Sequence, residues 1–351
     1  MQANNNKTKV LIVDDSAVVR KSLTQILLAD KSIEVIGTAS DPYVAVKKIA
    51  EQVPDVITLD LEMPRMDGIT FLQKLMSQHP IPVVVISSLT SKGSQLAIKS
   101  LEAGAVDVIK KNSISIDSFS EQSEVIRNTV LAAAKAFVKR RVGKETHAVE
   151  KSKNPLSVTS QKIIAIGAST GGTEAIKEIL EAMPIDCPGI VIVQHMPEVF
   201  TKSFAERLHA ICKIEVKEAQ DGDAVIRGRA LLAPGNFHME VFRSGAKYKV
   251  KLHQQDPVNR HRPSVDVLFH SLAAQAGENA LGSILTGMGA DGAKGLLAMR
   301  EAGSFTIAQD EQSCVVFGMP KEAIKIGAAE RIASLQQIPA LLLTKMKLQS
   351  I

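Results

Sequence analysis

The chain has 351 residues with 42 Lys+Arg against 37 Asp+Glu, a net charge of +5, and at roughly 150 residues per domain that is room for two or three domains. Hydrophobic residues at 45% and charged residues at 23% exclude a mainly disordered chain, and so mild a positive balance does not require a nucleic-acid partner. Three cysteines (Cys187, Cys212, Cys314), odd in number and widely spaced, exclude a disulfide framework and a paired-cysteine metal or redox site. The first ten residues, MQANNNKTKV, are polar and lack the apolar core of a secretory signal. No apolar run approaches the ~18 residues of a membrane helix, so the expectation is a cytoplasmic protein without direct membrane insertion.

From residue 7 onward, five short β-branched runs alternate with amphipathic stretches: VLIVDD, EVIGTA, DVITLD, PVVVISS and VDVIK, with helices such as GITFLQKLMSQH between them. That alternation predicts a five-stranded, doubly wound parallel α/β domain over 1–125. This block carries 13 basic and 15 acidic residues, whereas 126–160 carries 8 and 2. The middle segment opens as a periodic helix, roughly 120–141, and then loses all periodicity in VGKETHAVEKSKNPLSVTSQ, a solvated basic linker. Residues 161–351 hold 21 basic and 20 acidic residues. They return to buried strands in IIAIGAS, GIVIVQH, RALLAPG, LGSILTGMG and FTIAQD, which predicts a second doubly wound, mainly parallel α/β domain. A small hairpin, HMEVFRSGAKYKVKLH, interrupts it at a Ser-Gly turn.

In the first domain Asp14 and Asp15 follow one strand and Asp60 ends another. Ligands of open parallel sheets bind at that edge. Converging carboxylates repel one another unless a hard cation such as Mg²⁺ lies among them. Ser87 and Lys111 follow two further strands, and a carboxylate, a metal, a hydroxyl and a lysine around one point suit phosphorylation of an aspartate. The segments LIVDDS, DLEMPRMDG, VISS and GAVDVIKK resemble the receiver domain of two-component response regulators over 7–125. The resemblance implies that Asp60 accepts the phosphoryl group, and that Asp14, Asp15, Asp60 and the backbone carbonyl of Glu62 hold Mg²⁺. It makes Ser87 the switch hydroxyl and Lys111 the phosphate partner. Asn112 departs from the proline usual after that lysine, which bears on the local loop.

In the second domain Gly167-Ala168-Ser169-Thr170-Gly171-Gly172 leads from a strand into a helix and fits G-x-S-x-G, a turn that exposes a serine near a helix N-terminus. Ser169 stands where a dinucleotide loop has its second glycine, and no Gly-Lys-Ser/Thr follows. Of six later histidines, His195 ends the strand GIVIVQ on the same edge. His209 and His270 fall within helices, His238 and His253 in the hairpin, and His261 in the basic loop NRHRP. The carboxylate that orients the imidazole is Asp291, in the glycine-rich loop after SILT, with Asp310 after FTIAQ as its competitor.

The motifs IGASTGGTEAI, VQHMP, LLAPGNFHM, RPSVDVLF and LTGMGADGA, in that order, resemble the chemotaxis response-regulator protein-glutamate methylesterases. With the receiver, the resemblance spans nearly the whole chain. It implies Ser169 as nucleophile, His195 as general base and Asp291 as its partner, with oxyanion donors at Met288 and Thr170 and no metal or other cofactor at the esterase site. It also implies hydrolysis of glutamate methyl esters, with methanol released, and deamidation of glutamines on the cytoplasmic helices of chemoreceptors. The phosphodonor is then a chemotaxis histidine kinase, and phosphorylation relieves an inhibitory packing of the receiver over the esterase cleft. The alternative is a response regulator whose C-terminal domain only binds a partner or a nucleotide. A DNA-binding output is weaker still, since 161–351 is nearly neutral and lacks a basic recognition helix.

Overall fold

The computed structural model describes residues 7–63, 66–87, 90–111, 121–136, 138 and 162–348. The expected linker and Asn112 lie outside the described residues. The chain divides into two compact units, Met1–Lys144 and Glu145–Ile351.

In the first unit, strands β1 (Thr8–Val13), β2 (Ile33–Ala39), β3 (Val56–Asp60), β4 (Val83–Ser87) and β5 (Asp107–Lys110) form one parallel sheet in the order β2-β1-β3-β4-β5. Every residue of β3 and β4 is buried, as strands covered by helices on both faces must be. Strand order reverses at β1, so a crevice opens between the C-terminal ends of β1 and β3. Short polar side chains start the intervening helices α1 (Ala17–Leu28), α2 (Pro42–Glu51), α3 (Gly68–Gln78) and α4 (Ser91–Glu102). Ser16, Asp41, Asp67 and Thr90 each accept a first-turn amide.

The helix expected over 120–141 is shorter. As α5 it runs Glu121–Ala134, and its last turn tightens as Lys135 and Ala136 donate to Ala132 and Ala133. It packs on α1, β3, β4 and β5 through Ile126, Val130 and Ala133, all buried. Their i, i+4, i+7 spacing makes α5 part of the first unit's core rather than a free connector.

The second unit contains β6 (Ile163–Ala168), α6 (Gly172–Glu181), β7 (Gly189–Gln194), α7 (Glu198–Ile211), β8 (Glu215–Glu218) and β9 (Arg229–Leu232). The hairpin β10 (His238–Ser244) and β11 (Lys247–His253) follows, then α8 (Val265–Gln275), β12 (Ala280–Ile284) and α9 (Ala293–Glu301). It closes with β13 (Phe305–Gln309), α10 (Met319–Lys325), β14 (Arg331–Ala333) and α11 (Ile338–Leu348). Seven strands make one parallel sheet, β14-β13-β12-β6-β7-β9-β8. The five expected strands are its interior, and β8 and β14 add an edge on each side. Ser244 pairs with Lys247 across the hairpin, so the turn residues are Gly245-Ala246 rather than Ser-Gly. Gly245 supplies the positive φ of +60° that such a two-residue loop needs. The hairpin lies against α8.

Candidate active site

Three adjacent strands, β12, β6 and β7, deliver the three candidate residues to one edge. After β6 the chain reverses at Ser169-Thr170-Gly171 into α6. Gly171 holds φ +77°, and a Cβ there would lie 2.5 Å from Val315 Cβ, so glycine alone fits. The Ser169 amide donates to Thr286 O at 3.0 Å, and Ser169 O accepts from the Gly172 amide at 2.7 Å and Gln194 Nε2 at 2.9 Å. The turn is therefore fixed by backbone bonds, leaving the partly exposed hydroxyl for chemistry. The loop after β12 approaches so closely that a Cβ on Gly287 would fall 2.7 Å from Ser169 Cβ. Met288 follows at once. Among the described residues no backbone acceptor takes its N–H. Thr170 is buried, and its carbonyl accepts from Thr286 Oγ1 at 3.0 Å.

His195 begins just past β7, where its amide donates to Ala168 O at 3.1 Å. Its Nε2 lies 2.8 Å from Asp291 Oδ2, so that nitrogen carries the proton. Nδ1 is buried with no hydrogen-bond partner among the described residues. The ring thus offers Nδ1 as the basic nitrogen, the reverse of the arrangement in chymotrypsin-type triads.

Asp291 is buried, and four other groups donate to its carboxylate. Ser264 Oγ reaches Oδ1 at 2.7 Å, Asn259 Nδ2 at 2.8 Å and the Asp266 amide at 3.2 Å, while the Val265 amide reaches Oδ2 at 2.7 Å. Two of these are amides at the start of α8, where unpaired N–H groups and the helix dipole favour an anion. Burial alone would raise the Asp291 carboxyl. The hydrogen bond and charge of His195, with the bonds from Asn259 and Ser264, outweigh it and hold the group well below the usual carboxylate range. The carboxylate is ionised at every working pH, as an imidazolium partner requires.

The competitor, Asp310, instead accepts from Ser313 N at 2.9 Å and Ser313 Oγ at 2.6 Å, closing a turn. His209 accepts the Val216 amide through Nδ1 at 3.1 Å, a structural pin on β8, and His270 is exposed. His238 is buried, with Nδ1 3.2 Å from the Ser264 amide and Nε2 3.1 Å from Asp256 O. It supports the segment that donates to Asp291, through backbone contacts rather than chemistry. Sequence reasoning gave no role to Asn259 and left His261 as a residue of the basic loop. Both sit in the loop before α8, where no periodicity or spacing ties a residue to the sheet edge. Ser264 lay within a matched motif without an assigned role.

In the first unit, Asp14, Asp15 and Asp60 each bring a carboxylate oxygen within 4.8 Å of the others. Lys111 Nζ stands 2.7 Å from Asp60 Oδ2 and 3.1 Å from Asp14 Oδ2. Burial and then the charge of Asp60 push the Asp14 carboxyl up, against the Ser16 amide and Lys111. For Lys111, burial works to lower the pKa, but the hydrogen bond and charge of Asp60 with the charge of Asp14 prevail and raise it. Asp14 Oδ2 is buried, and its contact is the Lys111 ammonium at 3.1 Å, which leaves it further acceptor capacity. Three carboxylates converging within 4.8 Å, against a single ammonium, are an all-oxygen donor set that fits a hard divalent cation. Two features were not legible beforehand. Arg20 Nη1 donates to the Asp14 and Asp15 carbonyls at 2.7 and 2.9 Å, bracing the turn after β1. Ser87, buried at the end of β4, donates to Gly93 O at 2.9 Å and not to the carboxylates. Glu62 is exposed, and its amide donates to Asp60 Oδ1 at 3.2 Å. Mg²⁺ should raise the melting temperature of the receiver transition by mass action, and Asp14→Asn should abolish that rise in a calorimetric titration. A parent protein indifferent to Mg²⁺ would show that these carboxylates hold no cation.

A receiver-type acidic crevice and a Ser–His–Asp sheet edge in one chain define a response regulator with a serine-hydrolase output. The family model described as CheB methylesterase matches residues 164–342, and that described as response regulator receiver domain matches 10–120. The chain belongs to the response-regulator family of CheB methylesterases. A Geobacter metallireducens protein named protein-glutamate methylesterase/protein-glutamine glutaminase 3 is 56% identical over 344 residues, covering 95% of this chain and 97% of that one. A Chromohalobacter salexigens protein of the same type is 54% identical, covering 97% of each chain. The crystal structure of the Thermotoga maritima CheB methylesterase catalytic domain is 40% identical with a TM-score of 0.52, over 53% of this chain and 99% of that one. These relatives do not favour a non-catalytic C-terminal domain. No described helix is long and apolar enough to cross a membrane.

Proposed function

We propose that this chain is a phosphorylation-controlled protein-glutamate methylesterase and glutaminase, acting on chemoreceptor side chains in the cytoplasm. The observation that carries it is the 2.8 Å contact of His195 Nε2 with Asp291 Oδ2 beside the fixed Ser169 turn, with Nδ1 left unpartnered. Ser169 Oγ attacks the side-chain carbonyl carbon as His195 Nδ1 takes the hydroxyl proton. The Met288 N–H, with Thr170 beside it, faces the negative charge that develops on the carbonyl oxygen. His195 returns the proton to the leaving group, so methanol departs from an ester or ammonia from an amide. Water, deprotonated by the same nitrogen, then attacks the acyl carbon and restores Ser169, leaving a glutamate. Beyond substrate and water, each step as written uses this chain's own groups.

In the receiver, Asp60 is the phosphoryl acceptor, with a chemotaxis histidine kinase as donor. Asp14, Asp15, Asp60 and the Glu62 carbonyl would hold Mg²⁺, which when bound offsets charge on phosphoryl oxygens. Lys111 pairs with the phosphoryl group, and Ser87 exchanges its Gly93 partner for it. The sequence put the end of the receiver at 125, but α5 packs on the first sheet, so we take the receiver through Ala134, the link as the residues from there to 160 and the esterase as 161–351, with the unphosphorylated receiver inhibiting the esterase.

Methylated receptor membranes incubated with the full chain should release methanol, and faster with Mg²⁺ and a small phosphodonor. Absence of methanol from membranes that a fresh active-serine titration shows to be mixed with intact enzyme would overturn the proposal.

A further inference from the structure

The loop before α8 is strained where it meets the triad. Asn259 and Arg260 hold φ of +52° and +68°, a region that costs a non-glycine residue about 1 kcal/mol or more. The strain is held by backbone bonds in both directions between Val258 and His261, at 3.1 and 2.9 Å. Arg262 braces the same loop through Asn236 Oδ1 and the carbonyls of Gln254 and Gln255. So shaped, the loop does two things at the edge of the sheet. It turns the Asn259 amide onto Asp291 at 2.8 Å. It also lays the His261 ring flat over His195, with centroids 3.7 Å apart and planes within 7° of parallel.

The hydrogen bond from Nε2 to Asp291 does not by itself fix the plane of the His195 ring, which can still turn about that bond. With Nδ1 as the base for Ser169, turning would misplace it for proton transfer, and a misplacement of roughly 1 Å costs a reaction on the order of 10²-fold. A flat ring packed on one face removes that freedom. The stacked partner must also not repel the charge that His195 gains in each half-reaction. The charged and titratable groups facing His261 are His195, Asp291 and Arg260, and burial first, then His195, pushes its pKa down to about 3. His261 is therefore neutral wherever the enzyme works.

We propose that His261 is a positioning residue for ester and amide hydrolysis, fixing the plane of the His195 ring through the face-to-face stack. The proposal rests on His195 being the base. The test uses the full-length phosphorylated chain with His261→Ala, His261→Phe and His261→Leu, and His195→Gln as a control. Folded sites are counted by circular dichroism and melting. His261→Ala and His261→Leu should lower kcat for methanol release by about 10- to 100-fold with KM little changed. His261→Phe, which keeps a flat neutral ring, should restore most of the rate. In parallel, the Nε2–H resonance of His195 in ¹⁵N-histidine-labelled protein should persist in the parent and the Phe variant and broaden away in the other two. Parent-like turnover in the Ala and Leu variants, a Phe variant as slow as Ala, or a His195 resonance indifferent to all three changes would overturn the proposal. Should Ala fail to fold, Phe against Leu decides the matter, because they match in burial and differ in the flat ring. Full turnover in His195→Gln would instead overturn the base assignment, while the resonance still reports whether the stack orders the ring.

Discussion

Ser169→Ala should lower methanol release by about 10⁴-fold or more, because residues of a triad act as a unit and only binding and oxyanion contacts remain without the nucleophile. The fold should survive. The contacts that pin Ser169 are those of its amide to Thr286 and its carbonyl to Gly172 and Gln194, and alanine keeps all three. Stability should therefore shift by no more than about 0.5 kcal/mol, as for substitutions away from cores and caps. Thermal melting checks the fold, and an active-serine phosphonate should label the parent and not the variant. Asp310→Asn is the matched control. It weakens the turn that Asp310 closes with Ser313 and should leave turnover near the parent value. A folded Ser169→Ala protein that still released methanol at the parent rate would remove the serine mechanism.

Asp60→Asn should abolish stable phosphorylation by a small phosphodonor and with it all activation, while basal esterase activity persists. The amide cannot form the acyl phosphate, although its oxygen can still accept the Glu62 amide that Asp60 Oδ1 accepts at 3.2 Å. Lys111 loses its 2.7 Å ion pair but keeps Asp14 at 3.1 Å, so the ammonium stays in the crevice. Phosphorylation of the parent replaces the single charge of the Asp60 carboxylate with a phosphoryl group of about −1.5 to −2 and three acceptor oxygens beside Lys111, which should redirect the ammonium and draw the Ser87 hydroxyl from Gly93. Incorporation of labelled phosphate, read beside methanol release, checks both halves. Equal labelling and equal activation in the variant would place the phosphosite elsewhere. A fragment beginning near Lys151 tests the sign of control: released inhibition makes it faster than the resting full chain and deaf to phosphodonor.

Much of this molecule can be read from its sequence, for a definite reason. Buried parallel strands are unbroken β-branched runs, and active groups of such sheets sit where those runs end. That rule put Asp14, Asp15 and Asp60 on one edge, and Ser169, His195 and both Asp291 and Asp310 on another; the G-x-S-x-G turn, the glycine-rich loop and the family motifs chose among them. The strands it missed, EVKE of β8 and RIA of β14, are short edge strands, with too few apolar positions to show a period. The end of α5 was overrun because helical periodicity fades gradually, whereas the helix stops where its last turn tightens at Ala134.

What only the tertiary structure decided concerns contacts between segments far apart in the chain. Neither spacing nor residue type tells which imidazole nitrogen faces Asp291; that follows from the packed ring, with Nε2 at 2.8 Å and Nδ1 left over. The preference for Asp291 over Asp310, made on its glycine-rich loop, gains support from the start of α8 and the Asn259 amide, which reach Asp291, while Asp310 closes a turn with Ser313. The stack of His261 on His195 depends on two left-handed residues and an arginine brace. A loop of that kind carries no hydrophobic period, because side-chain hydrogen bonds rather than burial determine its path. The sequence by itself determined the strands and therefore the edges; the geometry at each edge was decided by the loops that fold back over it.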